Sequence, residues 1–349
     1  MNSRESIVSW IEGIPEHTTS RPTGSTKRKL VNQEQQLASP PASLKPSDEN
    51  NMASTPKRRR LGGSDDGLDL DETPPGSDDL LESMVEVGRG LNILPFHMKP
   101  TIEKAIGSGG LAMQWRTTFQ SPESVDDLPG CVPSFEEVDG VVKWAEHTTA
   151  RPSKYFKPAA STGQLIDICI YNSVGQDEEG LMEKINRFRM SSQTNNSINH
   201  TDYNPLRKRP LLLSIETKKP DTGNNKAQLQ IGVWYSTQWS FLRWAVGQRL
   251  KERAKLEAGK TATATEVEAD TLACLSELGF IPGIVVRGHR WCLVLSTYDG
   301  KKTTLWEEHQ FGTTSSSFGA FCAIAGIRRL TAWATDHYWP WFEKNILED

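Results

Sequence analysis

Two short segments, residues 164–171 and 210–218, have the alternating pattern of β-strands and limit the fold more than any other feature of the chain. Large aliphatic residues recur at every second position in both segments. Side chains at positions i and i+2 lie on the same face of a strand, so this spacing predicts that one face of each strand is buried. The chain is therefore predicted to build its core around a sheet.

Charged side chains lie on the opposite faces of these two strands. In the second strand, Glu216 and Lys218 are two residues apart and therefore lie side by side. The first strand leaves Asp167 opposite its apolar face, which consists of Ile166, Ile168 and Ile170. If the strands are neighbours in register, the two acids and the lysine meet. Two carboxylates and an ammonium group can hold a divalent cation and a water molecule, an arrangement that suits phosphodiester hydrolysis.

The composition divides the chain into two regions. Hydrophobic residues make up 36% of the sequence, and the deficit is concentrated between about residues 18 and 79, where Ser, Pro, Lys, Asp and Gly dominate. Such a segment buries too little apolar surface to offset the entropy cost of ordering, so residues 1–79 are predicted to be mostly disordered. The ordered domain is predicted to span residues 80–349 and to contain most of the eleven tryptophans.

A short basic run lies within the predicted disordered region, at Lys57, Arg58, Arg59 and Arg60. A Lys/Arg cluster in an accessible segment is the pattern that an import receptor binds, and it predicts a nuclear or nucleocytoplasmic protein. The alternative is a charge run that is only solvated. The formal net charge of −4 argues against a nucleic-acid-binding surface over the whole chain, but not against one basic groove.

The five cysteines are scattered, and none of them forms a Cys-x-x-Cys pair. Their odd number argues against a disulfide framework, and their spacing argues against a zinc site, so a reducing compartment is favoured. No apolar run approaches the roughly 18 residues that are needed to cross a bilayer, and no membrane partner is predicted.

Helical and strand patterns are mixed along the ordered region, which predicts an α/β or α+β fold. The segments with helical spacing are residues 81–94, 134–149, 179–189, 225–256 and 315–334, with a last short helix from residue 339. Three further strands are predicted at residues 281–287, 291–297 and 303–308. Residues 258–270 contain few large apolar side chains and are interpreted as an inserted loop.

An Asp on one strand, Glu-x-Lys on the next and a helix directly after them resemble the PD-(D/E)XK nuclease superfamily. A bare Glu-x-Lys occurs by chance about once in a chain of this composition, so the flanking segments carry the resemblance. Together with residues 214–218, they resemble the fungal PD-(D/E)XK nuclease-like domain proteins in the same order, from roughly residue 80 to the C-terminus. These segments are residues 228–234 (Gln-Leu-Gln-Ile-Gly-Val-Trp), 281–291 (Ile-Pro-Gly-Ile-Val-Val-Arg-Gly-His-Arg-Trp), 305–306, 311–312, 326–330 and 338–342 (Tyr-Trp-Pro-Trp-Phe).

The resemblance implies a restriction-endonuclease-like core, with a central mixed sheet between helices, and a site that binds Mg²⁺ or Mn²⁺. Asp167 and Glu216 would be the metal ligands, and Lys218 would position the attacking water or help to deprotonate it. Gln228 or Gln230, near the start of the next helix, would help to place the lysine or the phosphate. A further acid from an early helix would complete the site, and the candidates are Glu82, Glu86 and Glu103.

Two hypotheses about function follow from the resemblance. The first is a Mg²⁺-dependent nuclease that hydrolyses phosphodiester bonds in DNA. The alternative is a catalytically inactive fold that binds nucleic acid or a protein, and it is favoured by Ile166, which stands before Asp167 where the family pattern has proline. The predicted nucleic-acid contacts are Arg207, Lys208, Arg209 and Lys219.

Other prominent residues have plainer interpretations. The tryptophans of the long predicted helix (Trp234, Trp239 and Trp244) are interpreted as core residues, with stacking on bases as the alternative. His289, in a turn between two strands, is interpreted as structural and not as a general base. Glu216 and Lys218 have the alternative of a solvated pair on an edge strand.

Overall fold

The computed structural model describes most of the region that was predicted to be ordered. The described residues are 57–59, 73–106, 115, 117–120, 142–145, 150–159, 161, 165–173, 179–191, 196–219, 224–258 and 263–348. All of them belong to one compact unit, residues 49–349. None of the helices in these ranges is long and apolar enough to span a bilayer.

Within the described ranges, the centre of this unit is a mixed sheet of seven strands in the order β1-β7-β6-β5-β4-β3-β2. The strands are, in chain order, β1 (Lys57–Arg59), β2 (Val142–Ala145), β3 (Ile168–Asn172), β4 (Leu211–Lys218), β5 (Phe280–Arg287), β6 (Arg290–Tyr298) and β7 (Thr303–Thr313). The pairs β1–β7 and β4–β5 are parallel, and the other neighbours are antiparallel. The two acid-bearing strands, β3 and β4, are direct neighbours near one end of the sheet.

Helices cover both faces of the sheet, which confirms the predicted fold class. The helices are α1 (Asp78–Arg89), α2 (Lys99–Ile106), α3 (Glu179–Ser191), α4 (Asn224–Ala258), α5 (Ala264–Leu278), α6 (Ser317–Trp333) and α7 (Trp339–Phe342). Buried residues of α3, α4, α5 and α7 form one hydrophobic cluster against the sheet, on what we term the first face. Buried residues of α1, α2 and α6 form a second cluster, on the second face.

Most residues of α4 between positions 227 and 246 are buried, so the aromatic side chains of this part of the helix lie in the core. The indole of Trp234 donates a hydrogen bond to Ser214 Oγ in β4 at 2.9 Å, and that of Trp239 donates to Ser296 Oγ in β6 at 3.1 Å. Both tryptophans are about 1% exposed. Their interpretation as core residues is confirmed, since a buried indole cannot stack on a base without leaving its pocket.

Three predicted elements are wrong or too long. Val142–Ala145 is a strand that pairs with β3, although its apolar residues were taken for part of a helix. Helix α1 does not continue to Pro95, because Gly90 ends it in the left-handed conformation (φ 73°) that glycine adopts without strain. Ile166 lies ahead of β3 and packs on the first face, away from the isoleucines of the strand.

The predicted loop at residues 258–270 is also wrong over its second half, where α5 begins. Thr263 caps this helix: its hydroxyl accepts a hydrogen bond from the backbone N–H of Glu266, and the Glu266 carboxylate accepts from the backbone N–H of Thr263. This reciprocal arrangement satisfies two donors that a helix start leaves unpaired. The Thr-x-x-Glu spacing was visible in the sequence and predicts a helix start.

The basic run lies beside the edge of the sheet. Lys57–Arg59 forms β1 and pairs in parallel with residues 304–306 of β7. These three residues are therefore part of a strand, although the sequence predicted mostly disorder in this region. Pairing of this kind satisfies backbone groups that an open sheet edge would expose. Arg60 and residues 1–56 lie outside the described residues, and the import signal stays a prediction.

Candidate functional site

The register between β3 and β4 places two carboxylates beside each other. Ile168 is the antiparallel partner of Ile215. One step further along both strands, the same register puts Asp167 next to Glu216. Their charges interact, since Asp167 is one of the groups that raise the pKa of Glu216. The sequence predicted that the two acids meet if the strands are neighbours in register, and the fold fulfils this condition.

Asp167 is held at the point where β3 begins. One of its carboxylate oxygens, Oδ2, accepts two hydrogen bonds from Thr217, one from the backbone N–H and one from the hydroxyl, each at 2.8 Å. Thr217 directly follows Glu216 in β4. These bonds therefore fix the position of one carboxylate relative to the strand that carries the other.

Glu216 is fully buried, and its two carboxylate oxygens have different surroundings. The ammonium group of Lys218 donates a hydrogen bond to Oε1. Oε2 is also buried, but it has no hydrogen-bond partner among the described residues. A buried acceptor without a partner costs free energy that a bound cation or donor would recover. The alternative of a solvated pair on an edge strand is wrong, because β4 is an interior strand and its glutamate is inaccessible.

The environment of Glu216 changes its acidity. Burial raises the pKa of this carboxyl from 4.5 to about 7, the hydrogen bond from Lys218 opposes the rise, and the negative charge of Asp167 adds to it. Burial disfavours the charged form, and a neighbouring carboxylate disfavours it further. A divalent cation would relieve both effects at once.

The residues at this place fit a magnesium-type ion. Mg²⁺ prefers oxygen ligands, keeps several of its waters and is commonly held by one or two carboxylates. Asp167 and Glu216 provide two carboxylates, and Oε2 of Glu216 is an unused buried acceptor. Across the described ranges, no group of three or more His, Cys, Asp or Glu side chains is arranged to hold a metal ion. A coordination sphere at this site would therefore be completed by water or substrate oxygens.

The expected third acid from an early helix is not at the site. Glu82 and Glu86 belong to α1, and Glu103 belongs to α2. Both helices pack on the second face of the sheet, and these three glutamates are exposed to solvent. The prediction is wrong because the apolar residues of α1 and α2 pack these two helices against the face of the sheet that is opposite Glu216.

The two glutamines of α4 are both largely buried, and Gln230 supports the segment that leads to Asp167. Its side-chain amide donates a hydrogen bond to the backbone carbonyl of Leu165, two residues before Asp167. This contact couples the start of α4 to the position of the first carboxylate. The structure thus gives Gln230 a contact with the backbone near Asp167, whereas the resemblance implied a contact with the lysine or the phosphate. For Gln228, that role stays a prediction.

The predicted nucleic-acid contacts are divided between the two ends of β4. Lys219 follows the strand directly and lies at the same end as Glu216 and Lys218. Arg207, Lys208 and Arg209 precede Leu211 and lie at the other end. The fold therefore does not bring these three basic residues to the carboxylates, because the length of β4 separates the two groups.

The fold brings a further cation, Arg287, to the site, and the sequence did not indicate this residue. Strands β4 and β5 are parallel, and their register pairs Lys218 with Arg287. The two side chains therefore lie on the same face at the same end of the sheet. The backbone N–H of Gly288 donates to the carbonyl of Lys218 at 2.9 Å and ties the β5–β6 turn to this end. The following residue, His289, contacts Thr314 Oγ1 at 3.0 Å, in agreement with a structural role.

The raised pKa of Glu216 predicts that divalent cations bind more tightly as the pH rises. Below pH 7 the carboxyl holds a proton that a cation must displace, so the dissociation constant for Mn²⁺ should rise about tenfold for each pH unit below 7 and level off above it. Isothermal titration calorimetry from pH 5.5 to 8.5, in buffers of different ionisation enthalpy, would measure the affinity and count the released proton. A flat affinity profile would contradict the assignment of Glu216 as a ligand.

The same shift has an opposite consequence for the free protein. Because the pKa in the folded state lies above 4.5, ionisation of Glu216 opposes folding. Its contribution to the free energy of unfolding is fully present below pH 4.5 and is lost as the pH rises through about 7. A bound cation would remove this loss, so the stabilisation by Mn²⁺ should be larger at pH 8 than at pH 6.

Comparison with known proteins agrees with this geometry. A family model described as the PD-(D/E)XK nuclease superfamily matches residues 113–339, which include Asp167, Glu216 and Lys218. No curated protein and no solved structure matches the chain. The narrower likeness to fungal members stays a prediction. Because the family model covers more than half of the chain and the acid-bearing strands lie within it, the chain belongs to the PD-(D/E)XK nuclease superfamily.

Proposed function

We propose that this protein is a Mg²⁺-dependent nuclease that hydrolyses phosphodiester bonds in DNA. The observation that carries the proposal is the pairing of Asp167 with a buried Glu216 that has one oxygen without a partner. A carboxylate with a pKa raised by burial, next to a second acid, is typical of a functional site and unfavourable for stability alone. Membership of the superfamily supports nuclease activity as the use of such a site.

Each residue has a distinct part in the proposed reaction. Asp167 and Glu216 would hold the divalent cation, which when bound supplies charge stabilisation at the phosphoryl oxygens and acidifies a coordinated water. Lys218 would move from its bond with Glu216 to the attacking water and orient it or take part in its deprotonation. The proton finally passes to the leaving oxygen or to solvent, so that one P–O bond forms and one P–O bond breaks.

Two cations at the same end of the sheet are suited to bind the substrate. Arg287 lies beside Lys218 in the β4–β5 register, and Lys219 continues the chain beyond β4. A phosphodiester carries one negative charge for each nucleotide, so cations beside the carboxylates would hold the backbone against the like charge of the two acids. Both residues are proposed as phosphate contacts.

Cleavage of supercoiled plasmid DNA tests the proposal directly. The purified full chain should convert the plasmid to nicked or linear forms in the presence of Mg²⁺ or Mn²⁺ and should leave it intact with EDTA. Lys218→Ala should reduce the rate by roughly 10²-fold, in the range of general acid–base contributions, whereas Lys301→Ala, in a remote exposed turn, should leave it unchanged. Binding of DNA without cleavage under any divalent cation would favour the inactive binding fold instead.

The location of the protein is a separate proposal. The run Lys57–Arg60 is proposed as a signal for an import receptor, on the strength of its composition. In the structure its first three residues pair with β7, so import would require that this short strand separates from the sheet. Imaging of the tagged full chain and of a variant with these four residues changed to Ala would test it, and equal nuclear amounts would contradict it.

A further inference from the structure

A basic pocket lies at the end of β4 that is remote from the carboxylates. It has a volume of about 380 Å³. Its lining consists of Arg189, Asn204, Pro205, Arg207, Lys208 and Arg209. Four of these six residues are cationic, and none of the six is acidic. A concave surface with this lining attracts anions and repels cations.

The cations of this pocket are crowded together. The guanidinium of Arg207 is close enough to Arg189 to lower its pKa, an effect that adds to the larger one from partial burial. Like charges at short distance destabilise the free protein. An anion placed between the two guanidinium groups would convert this repulsion into two charge-assisted hydrogen bonds.

The arginines are held in place before any ligand binds. The Nε–H of Arg189 donates to the carbonyl of Asn196 at 2.7 Å, and the Nε–H of Arg207 donates to the carbonyl of Asp202 at 3.1 Å. Arg209 lies over the ring of Tyr171 at 5.0 Å and donates to its hydroxyl at 3.3 Å. Because these bonds limit rotation of the side chains, less entropy is lost when an anion binds.

The loop that carries the cations is fixed from within. The buried side chain of Asn199 donates to the carbonyls of Leu206 (2.6 Å) and Arg209 (2.9 Å) and accepts from the backbone N–H of Leu211 (3.0 Å). A buried amide that makes three hydrogen bonds to the backbone holds the loop in one conformation. The loop geometry therefore belongs to a preformed surface and not to a solvated charge run.

We propose that this pocket binds a backbone phosphate of the nucleic acid, away from the phosphate that reacts. The identity of the ligand rests on the proposed nuclease function. Leu211 and Glu216 are separated by about 17 Å along β4, and successive phosphates of a duplex strand are about 3.4 Å apart along the axis. The pocket would thus hold a phosphate at least about five nucleotides from the cleavage point and would set the minimum length of a good substrate.

Binding measurements in EDTA test this pocket without any cleavage. Fluorescence anisotropy with a labelled 20-base-pair duplex would compare the wild-type full chain with the triple variant Arg207→Gln/Lys208→Gln/Arg209→Gln. Arg189 is left unchanged because it bonds both Asn186 of its own helix and the carbonyl of Asn196, and so ties α3 to the neighbouring segment. We expect the affinity at about 0.1 M salt to fall more than tenfold, and the slope of log K against log salt to become shallower by about 1 for each phosphate contact removed.

A matched control removes the same charge elsewhere. The triple variant Lys251→Gln/Lys255→Gln/Lys301→Gln changes three exposed lysines and should alter the affinity less than twofold. Equal losses in the two triple variants would overturn the proposal, because they would show a general charge effect. If the pocket variant is less stable by circular dichroism, Lys208→Glu serves in its place, since this exposed side chain makes no hydrogen bond in the described structure.

Two further outcomes separate this proposal from its alternatives. A rise in the melting temperature of the wild type with inorganic phosphate, together with unchanged duplex affinity in the pocket variant, would assign the pocket to a free phosphate and overturn the nucleic-acid assignment. Loss of duplex affinity in the pocket variant of a protein that never cleaves DNA would support the pocket and reject only the hydrolysis. Cleavage with unchanged duplex affinity in that variant would reject the pocket alone.

Discussion

Glu216→Gln is expected to lower the rate of Mg²⁺-dependent DNA cleavage by at least about 10²-fold. The cation contributes several kcal/mol to the stabilisation of the transition state, and each 1.4 kcal/mol that is lost costs about a factor of ten in rate. An amide of the same shape cannot supply the charged oxygen that Oε2 would present to the ion. Plasmid cleavage under single-turnover conditions, with saturating Mg²⁺, measures the effect.

The same substitution should not destabilise the free protein at pH 8. Ionisation of Glu216 opposes folding above its pKa of about 7, and the neutral amide removes this cost. The side chain of Lys218 is 17% exposed, so its ammonium group can turn to water when its partner is lost. A melting temperature equal to or above that of the wild type, together with lost cleavage, would separate a functional residue from a structural one.

A matched control is available in α5. Glu268 also accepts hydrogen bonds from a cation, at 2.6 Å and 3.0 Å from Arg243, but it lies in α5 and away from the carboxylate pair. Glu268→Gln should leave cleavage within about twofold of the wild type, whereas an equal loss of cleavage in both variants would contradict the assignment of the site. Asp167→Asn should match Glu216→Gln, and the double variant should be no worse than either, because ligands of one ion act as a unit.

Trp239→Ala is expected to lower the free energy of unfolding by about 3–5 kcal/mol, the largest change in stability that we predict. The side chain is 1% exposed, its indole donates to Ser296 Oγ, and its ring stacks on Tyr298 at 6.0 Å. Truncation would leave a cavity between α4 and the sheet and would remove one of the two hydrogen bonds of the Ser296 hydroxyl, which keeps its bond to the carbonyl of Ile281. Urea unfolding followed by circular dichroism measures the loss.

An exposed aromatic residue gives the control for this prediction. Tyr155 is 52% exposed, and Tyr155→Ala should change the free energy of unfolding by no more than about 0.5 kcal/mol. A loss below about 1 kcal/mol for Trp239→Ala would show that the residue is not enclosed as described. Such a result would reopen the alternative that tryptophans of α4 stack on bases.

The candidate site could be predicted from the sequence because its members are close along the chain or on strands with a clear alternation. Glu216 and Lys218 share a face through the two-residue period of β4, and Asp167 directly precedes β3, where the register continues to Glu216. What could not be predicted is the proton affinity of Glu216. Its pKa depends on burial beneath α4, which is a property of packing and not of the neighbouring residues.

Other residues were misplaced because local signals competed. Val142–Ala145 has an apolar spacing that suits a helix and a strand equally, and its pairing with β3 decided the outcome. The early glutamates were plausible as ligands until α1 and α2 packed on the opposite face of the sheet. A short apolar segment often fits a helix as well as a strand, and tertiary contacts then decide between the two.

The sequence by itself determined the chemical groups, the alternation of the strands and the helices that cover them, because backbone geometry imposes its period on adjacent residues. Only the tertiary structure decided that Arg287 stands beside Lys218, since a parallel pairing across the 35 residues of α4 joins distant segments. It also decided that the basic loop lies a strand length away from the carboxylates. Strand neighbours and burial depend on how the whole core packs, and no local pattern encodes them.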